Sequence, residues 1–546
     1  MTPTQSREAV ADEANAILIR VASPWETATK FRRGQLGAVP YSCPVHPTLP
    51  REHCAEPGRL HRPTGYQPKQ IIILPVISNS SARGNIVSTH GELAKESLGT
   101  FESAIMGIAG TAPAFSVAVT TAAIVASVGV LSVGSIFYCG LVMFGIMLAF
   151  FHLSKITPHA GAAYAWVGQV FGRTWGFFTG WGLLVASIFF MVSATIPAAT
   201  STLILIAPDL VENTLWVTGT AAIWLTLVTL VVTKGIKHAS YTQLILTGIE
   251  TVVVFALIIA AFMQYGGRPA HPPSIIWFSP FSFTPQLFAT GALTAIFFYW
   301  GWDVTMNLSE ETKTGDSGKA HPAGKGAFWA MVNLILFFII MMIVVLIVLN
   351  DEEISQANTN VLYAIANKLF PAPWNYLAVL STILSTVGTI ETQILQFSRS
   401  MFAMARDEML HPRYAKIHPE WKTPWVATFV IWFLGVLLLF SSSFMPSVKQ
   451  ILESSILAIG FQICFYMSLA GFACAWHYRD KLKAGAYNAI SFVLWPLLAA
   501  LFMVFIAIYS IPTFDMVTNI MGIGGILIGF IPFALGGLRR ADAAKA

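Results

Sequence analysis

Between residues 104 and 537 the chain returns repeatedly to apolar runs of about twenty residues, the length at which a helix crosses roughly 30 Å of bilayer hydrocarbon. The runs fall at 104 to 127, 131 to 153, 175 to 207, 216 to 233, 240 to 263, 286 to 308, 327 to 349, 374 to 398, 424 to 442, 451 to 476, 487 to 510 and 515 to 537. Lipid offers no partner to a backbone amide, so such runs must close their hydrogen bonds internally as helices. A transmembrane barrel would need alternating segments of about ten residues instead. Apolar residues make up 55% of the chain and charged residues 11%, against about 25% charged in a soluble domain. The expectation is an all-α integral membrane protein of twelve transmembrane helices.

Lysine and arginine orient it. With the N-terminus inside, the inner loops carry Lys155, Arg173, Lys234, Lys237, Lys313, Lys319, Lys325, Arg399, Arg406, Arg413, Lys416, Lys422, Arg479, Lys481 and Lys483. The outer loops carry only Arg268, Lys368 and Lys449. This bias predicts a multi-pass cell-membrane protein with both termini cytoplasmic. The net charge of +5 is thus spread over separate loops, which speaks against a nucleic-acid surface.

Residues 1 to 95 differ from the rest. They are rich in Pro and His, lack amphipathic periodicity and show no apolar core of a signal peptide, so a largely disordered cytoplasmic tail is expected. Cys43, His46, His53 and Cys54 match no zinc-finger spacing. Cys139, Cys464 and Cys474 lie in apolar runs and read as packing residues. The loop "KTGDSGKAHPAGKG" lacks phosphate-loop spacing, and no nucleophile, base or metal cluster is apparent. Neither an enzyme nor an ATP-driven pump is expected, no cofactor or metal is implied, and no filter sequence suggests a channel.

Three carboxylates fall inside the apolar runs: Glu250, Asp303 and Glu391. In lipid each must face a protein interior or an aqueous path, which makes them candidates for ion coupling or for meeting substrate charge. Asp303 has an alternative role at the end of its helix, and Glu391 one in an interhelical hydrogen bond. A second signal is the breaks. Gly107, Gly110 and Pro113 lie in the first run and Gly301 in the sixth. A helix interrupted inside a membrane exposes amides, carbonyls and two half-helix dipole ends that can hold a carboxylate and a cation.

Five stretches together resemble the amino acid, polyamine and organocation transporters, in their amino acid permease class: "GIAGTAPAFS", "KITPHAGAAYAWVGQVFGRTWGFFTGW", "GIKHASYTQLILTGIE", "GWDVTMNLSEETK" and "SRSMFAMARDEMLHPRYAKIHPEWKTP". The resemblance implies a five-plus-five inverted-repeat core over residues 96 to 480, with discontinuous helices 1 and 6, and two additional helices over 481 to 546. It places Gly107, Gly110 and Thr111 at the carboxylate-binding break of helix 1, and Phe298, Tyr299, Trp300 and Gly301 at the facing break of helix 6. Charged residues in the loop from Arg399 would stabilise an inner gate or the fold rather than touch substrate. The implied function is secondary active import of amino acids by proton symport, with an amino acid or amine substrate, a coupling proton and the lipid bilayer as partners. Transport or exchange of polyamines or other amines is the alternative, and a nutrient-sensing receptor a further one. Many relatives have lysine where this chain has Glu250. With the sign reversed, Glu250 either takes and releases a proton itself or stays ionised as the counter-charge of an amine.

Overall fold

A computed structural model describes residues 93–543 apart from 96, 314–320 and 358. All of these belong to one compact unit, Arg83–Ala546. The expected tail, with Cys43, His46, His53 and Cys54, lies outside the described residues.

The first helix, α1 (Thr100–Thr111), stops at Ala112 and is followed by α2 (Pro113–Val128) and α3 (Ser132–Leu153). After the short α4 (Ala163–Phe171) come α5 (Arg173–Ile206), α6 (Thr214–Thr233) and α7 (Ile236–Tyr265). The next helix, α8 (Pro285–Phe298), ends early; the four-residue α9 (Val304–Asn307) follows, and then α10 (Pro322–Val348). Two short helices, α11 (Asp351–Ala357) and α12 (Val361–Leu369), precede α13 (Tyr376–Arg406), α14 (Trp425–Ser442) and α15 (Val448–His477). Two apolar helical stretches, α16 (Ala486–Thr513) and α17 (Met516–Gly537), complete the bundle.

Ten helical stretches among the described residues are long and apolar enough to cross a membrane, against the twelve expected. Two physical reasons account for the difference. The first two expected runs form one helical stretch, Thr100–Leu153. The sixth is helical only over Pro285–Phe298, too short to cross alone.

Lipid as solvent explains which faces are apolar. Leu215, Ile223 and Leu227 on α6, Val252, Phe255 and Ile259 on α7, and Phe433, Leu437 and Phe440 on α14 point outward and are exposed. In water they would be a large apolar patch; in a bilayer they are the lipid face. The centre is formed by α5 and α13, which pack on each other and on α15 and α7 respectively. Polar helix starts are capped: Asn213 accepts the amides of Leu215 and Trp216, and Thr284 accepts that of Leu287 at 3.1 Å. Cys139, Cys464 and Cys474 are buried.

The interruption after α1 is at Ala112, which is left-handed at φ 49°. Pro113 follows and has no amide hydrogen to continue the ladder. Gly107 and Gly110, expected at the break, are instead helical residues of α1. After Phe298 the chain turns through residues 299–303, with Gly301 at φ +113°.

Candidate transport site at the helix interruptions

The two turns meet backbone to backbone. A Cβ added at Gly110 would run into the carbonyl oxygen of Gly301, and one added at Gly301 into the carbonyl of Gly110. Glycine is required at both places because no side chain fits between the two main chains. Gly107 plays a similar part, its missing Cβ leaving room for Ala330 and Thr305. Carbonyls left over by the interruption are taken by hydroxyls: Thr389 donates to Gly110 at 2.7 Å and Ser116 to Thr111 at 2.9 Å, while within α1 the Thr111 hydroxyl donates back to Gly107 at 3.2 Å.

The start of α2 carries a carboxylate. Glu250, buried on α7, accepts the Ala114 amide at 2.7 Å and the Ser385 hydroxyl at 2.9 Å through the same oxygen. The next amide, of Phe115, donates to Ser385 at 3.2 Å. An anion is favoured here because the unsatisfied amides of a helix start and the positive end of its dipole coincide. Glu250 thus ties α7 and α13 to the second half of the interrupted helix.

Of the aromatics after α8, Trp300 reaches the polar network. It donates to the Tyr466 hydroxyl at 2.6 Å, and Tyr466 donates to Asp303 at 2.8 Å. Trp300 also lies edge-on to Phe190 at 5.2 Å, and Phe190 contacts Phe115 at 6.0 Å and Phe297 at 5.9 Å. Phe298 and Tyr299 pack on Phe338 of α10, and the Tyr299 hydroxyl donates to the carbonyl of Ile136 at 3.0 Å. Asp303 precedes α9 but makes no side-chain cap with it.

The third carboxylate faces an amide. Gln243 on α7 donates to the Gly388 carbonyl at 2.7 Å and to Glu391 at 2.9 Å. This is the interhelical hydrogen bond considered for Glu391.

The end of the bundle where α1 begins is fastened by charge. Arg399 grips Glu311 with two hydrogen bonds of 2.9 and 3.1 Å, both side chains fully buried. It is a residue of α13, not of the loop after it. Arg406 makes a second two-bond pair with Glu310, at 2.9 and 2.8 Å, and contacts His159 at 3.0 Å. Burial opposes ionisation of Glu310, but Arg406 outweighs it and holds the carboxyl below its usual range. Asp407 is likewise held low: burial is outweighed by His159 and Arg406. Backbone bonds from Ser97 and Leu98 to the Glu311 carbonyl, at 2.8 and 3.2 Å, attach the entrance of α1 to the same latch.

A model of the amino acid permease family matches residues 98–531. The chain belongs to that family. The permease is 25% identical to the serine/threonine exchanger SteT of Bacillus subtilis (strain 168) over 355 residues, which cover 63% of this chain and 74% of the relative. It is 23% identical to the branched-chain amino acid permease BcaP of the same strain over 394 residues, 68% of this chain and 80% of the relative. The methylthioribose transporter of that strain is 23% identical over 295 residues, 52% and 60% of the two chains. The permease is a multi-pass membrane protein and a secondary transporter of small organic solutes; its function is transport, not catalysis.

Sequence reasoning names the three carboxylates of the permease but misses the neutral residues that hold them. Ser385, Gln243 and Tyr466 are buried partners of Glu250, Glu391 and Asp303. Gln396 donates to Asn307 at 3.2 Å, and Asn307 donates to Ser400 and to the Ala160 carbonyl, each at 2.8 Å. A signal for part of this exists: "LSTILSTVGTIETQ" places hydroxyls and amides through an apolar run, where each must find a partner inside the protein.

Proposed function

We propose that the permease imports amino acids by proton symport. The substrate lies beside the interruptions after Thr111 and Phe298, between Gly107, Gly110 and Thr111 on one side and Phe298, Tyr299, Trp300 and Gly301 on the other. Glu250, Asp303 and Glu391 supply ion coupling or meet the substrate's charge. The observation that carries this reading is Glu250 on the Ala114 amide: a carboxylate from another helix already sits at the interrupted helix start. There it meets both what a substrate carboxylate would seek and what a substrate ammonium would approach.

In the same reading the chain crosses the membrane twelve times, the short α8 forming the first half of a broken sixth crossing that Val304–Asn307 continues. Residues 96 to 480 form the five-plus-five inverted-repeat core, 481 to 546 add two helices, and both termini are cytoplasmic. The Arg399–Glu311 and Arg406–Glu310 pairs then close the inner face. The charge bias of the loops supports the orientation. A cysteine introduced at Lys319 should react with an impermeant reagent in inverted vesicles only; reaction from outside alone rejects the topology.

One observation favours a second reading, transport of amines that carry no carboxylate. The amides of Ala114 and Phe115 are both bonded to the protein's own side chains, so an ammonium finds an anion waiting while a carboxylate must displace one. Competition of labelled diamine uptake by neutral amino acids, arginine, lysine and unlabelled diamines separates the two. Inhibition by diamines with no effect of any amino acid supports amine transport and rejects amino acid import.

A further inference from the structure

Glu391 and Gln243 are joined by one hydrogen bond and leave one oxygen each without a partner. The Gln243 amide nitrogen donates to Glu391 Oε2 and to the Gly388 carbonyl. A carbonyl can only accept, so the amide cannot be flipped, and its oxygen Oε1 is left as an acceptor. Among the described residues, neither Gln243 Oε1 nor Glu391 Oε1 has a donor, and both side chains are buried. Two spare acceptors on groups already in contact are costly in a protein interior inside a membrane.

One proton removes both deficits. Placed on Glu391 Oε1, it makes an O–H that donates to Gln243 Oε1, while the existing N–H to Oε2 bond remains. The result is a neutral acid–amide ring with two hydrogen bonds. We propose that Glu391 and Gln243 form the proton-binding site of the permease, loaded when this ring is closed. This rests on the proton-coupled reading above and assigns the proton within it. Loading forms the O–H bond at Oε1. Unloading breaks it, leaves the electron pair on the carboxylate and passes the proton to water. Both Oε1 atoms are then again without a donor, which favours separation of α7 from α13.

Among the described residues, the buried charges on the neighbouring elements are bound elsewhere. On α7, Glu250 lies about two turns away and is bound to Ala114 and Ser385. On α13, Arg399 is bound to Glu311, and beyond α8 Asp303 is bound to Tyr466. Glu102 on α1 bonds the Gly99 amide, and α2, α6 and α14 contain no charged residue. Arg173, the one charge on α5, bonds the Asp407 carbonyl at the latch. A metal cation would want a fuller oxygen shell than two spare acceptors.

The test is infrared spectroscopy of the full chain in lipid nanodiscs, beside uptake into sealed vesicles. A carboxylic acid C=O band should be present at neutral pH, absent in Glu391→Gln and shifted in Gln243→Leu, with Gln243→Asn in its place should the leucine variant fail to fold. The same Glu391→Gln protein, shown by thermal denaturation to be folded, should lose accumulation driven by a proton gradient. An unchanged acid band in Glu391→Gln overturns the assignment, as does accumulation there that still follows the proton gradient. Loss of the band on adding sodium at constant pH also overturns it, in favour of a metal cation. A band that behaves as expected, with wild-type uptake indifferent to the proton gradient, upholds the ring and rejects the symport reading.

Discussion

Gly110 and Gly301 press their backbones together at the point where one helix has just ended its first half and another has stopped. The contact makes the end of α1 and the turn after α8 a single unit, so movement of one must be felt by the other. Gly110→Ala and Gly301→Ala should both fail to reach wild-type thermal stability in detergent and lose transport. Gly301→Ala should suffer more, since its φ of +113° adds backbone strain on the order of 1–3 kcal/mol. Gly219→Ala, where an added Cβ meets nothing within 4 Å, is the control that should be tolerated. Equal tolerance at all three positions would refute the contact.

Tyr466 stands between Trp300 and Asp303. Tyr466→Phe removes an acceptor from the indole and the one donor seen on Asp303 Oδ2, while Oδ1 has none among the described residues. A loss of about 1–3 kcal/mol is expected for the group left buried and unpaired. Thermal denaturation measures it, and a parallel binding titration should show weaker substrate affinity if Trp300 lines the site. Unaltered stability and affinity would reduce Tyr466 to packing.

Much of this molecule is legible in the sequence because lipid imposes simple rules. Length and apolarity locate the helices, and Pro113 announces the first interruption since it cannot donate to the ladder. The residue that turns is not legible: Ala112 adopts the left-handed conformation while the nearby glycines stay helical. Those glycines are needed for close approach to Gly301, Thr305 and Ala330, contacts that no local pattern encodes. Gln243 is hidden for the same reason, since its partner Glu391 lies 148 residues away.

Arg399 and Glu311 are both wholly buried and doubly bonded. Removing one partner leaves the other charge unpaired, so Arg399→Met or Glu311→Leu alone should cost about 3–5 kcal/mol. The double variant should recover part of that loss. Lysine should not substitute for arginine, because it cannot make the two parallel bonds. A double variant as unstable as the sum of the two single ones would show that the pair is not coupled.

Acid should loosen the Arg406–Glu310 latch late. The Glu310 carboxyl is held below its usual range in the folded protein, so its contribution is complete above the unfolded value and is lost as pH falls through the lower folded one. Stability against pH should therefore stay level down to the ordinary glutamate range and fall only below it. In Arg406→Gln burial acts with less opposition and the carboxyl is no longer held as low, so the fall due to this group should shrink or vanish. An acid loss of the same size in both proteins would contradict this role for Arg406.

Proton-driven amino acid import is tested most directly by purified protein in sealed vesicles, without sodium, under an imposed inward proton gradient. The account predicts that a labelled amino acid accumulates above its outside concentration, that a protonophore abolishes the accumulation, and that folded Glu391→Gln does not accumulate it. Accumulation that needs sodium and ignores the proton gradient, or none with any amino acid, would contradict it.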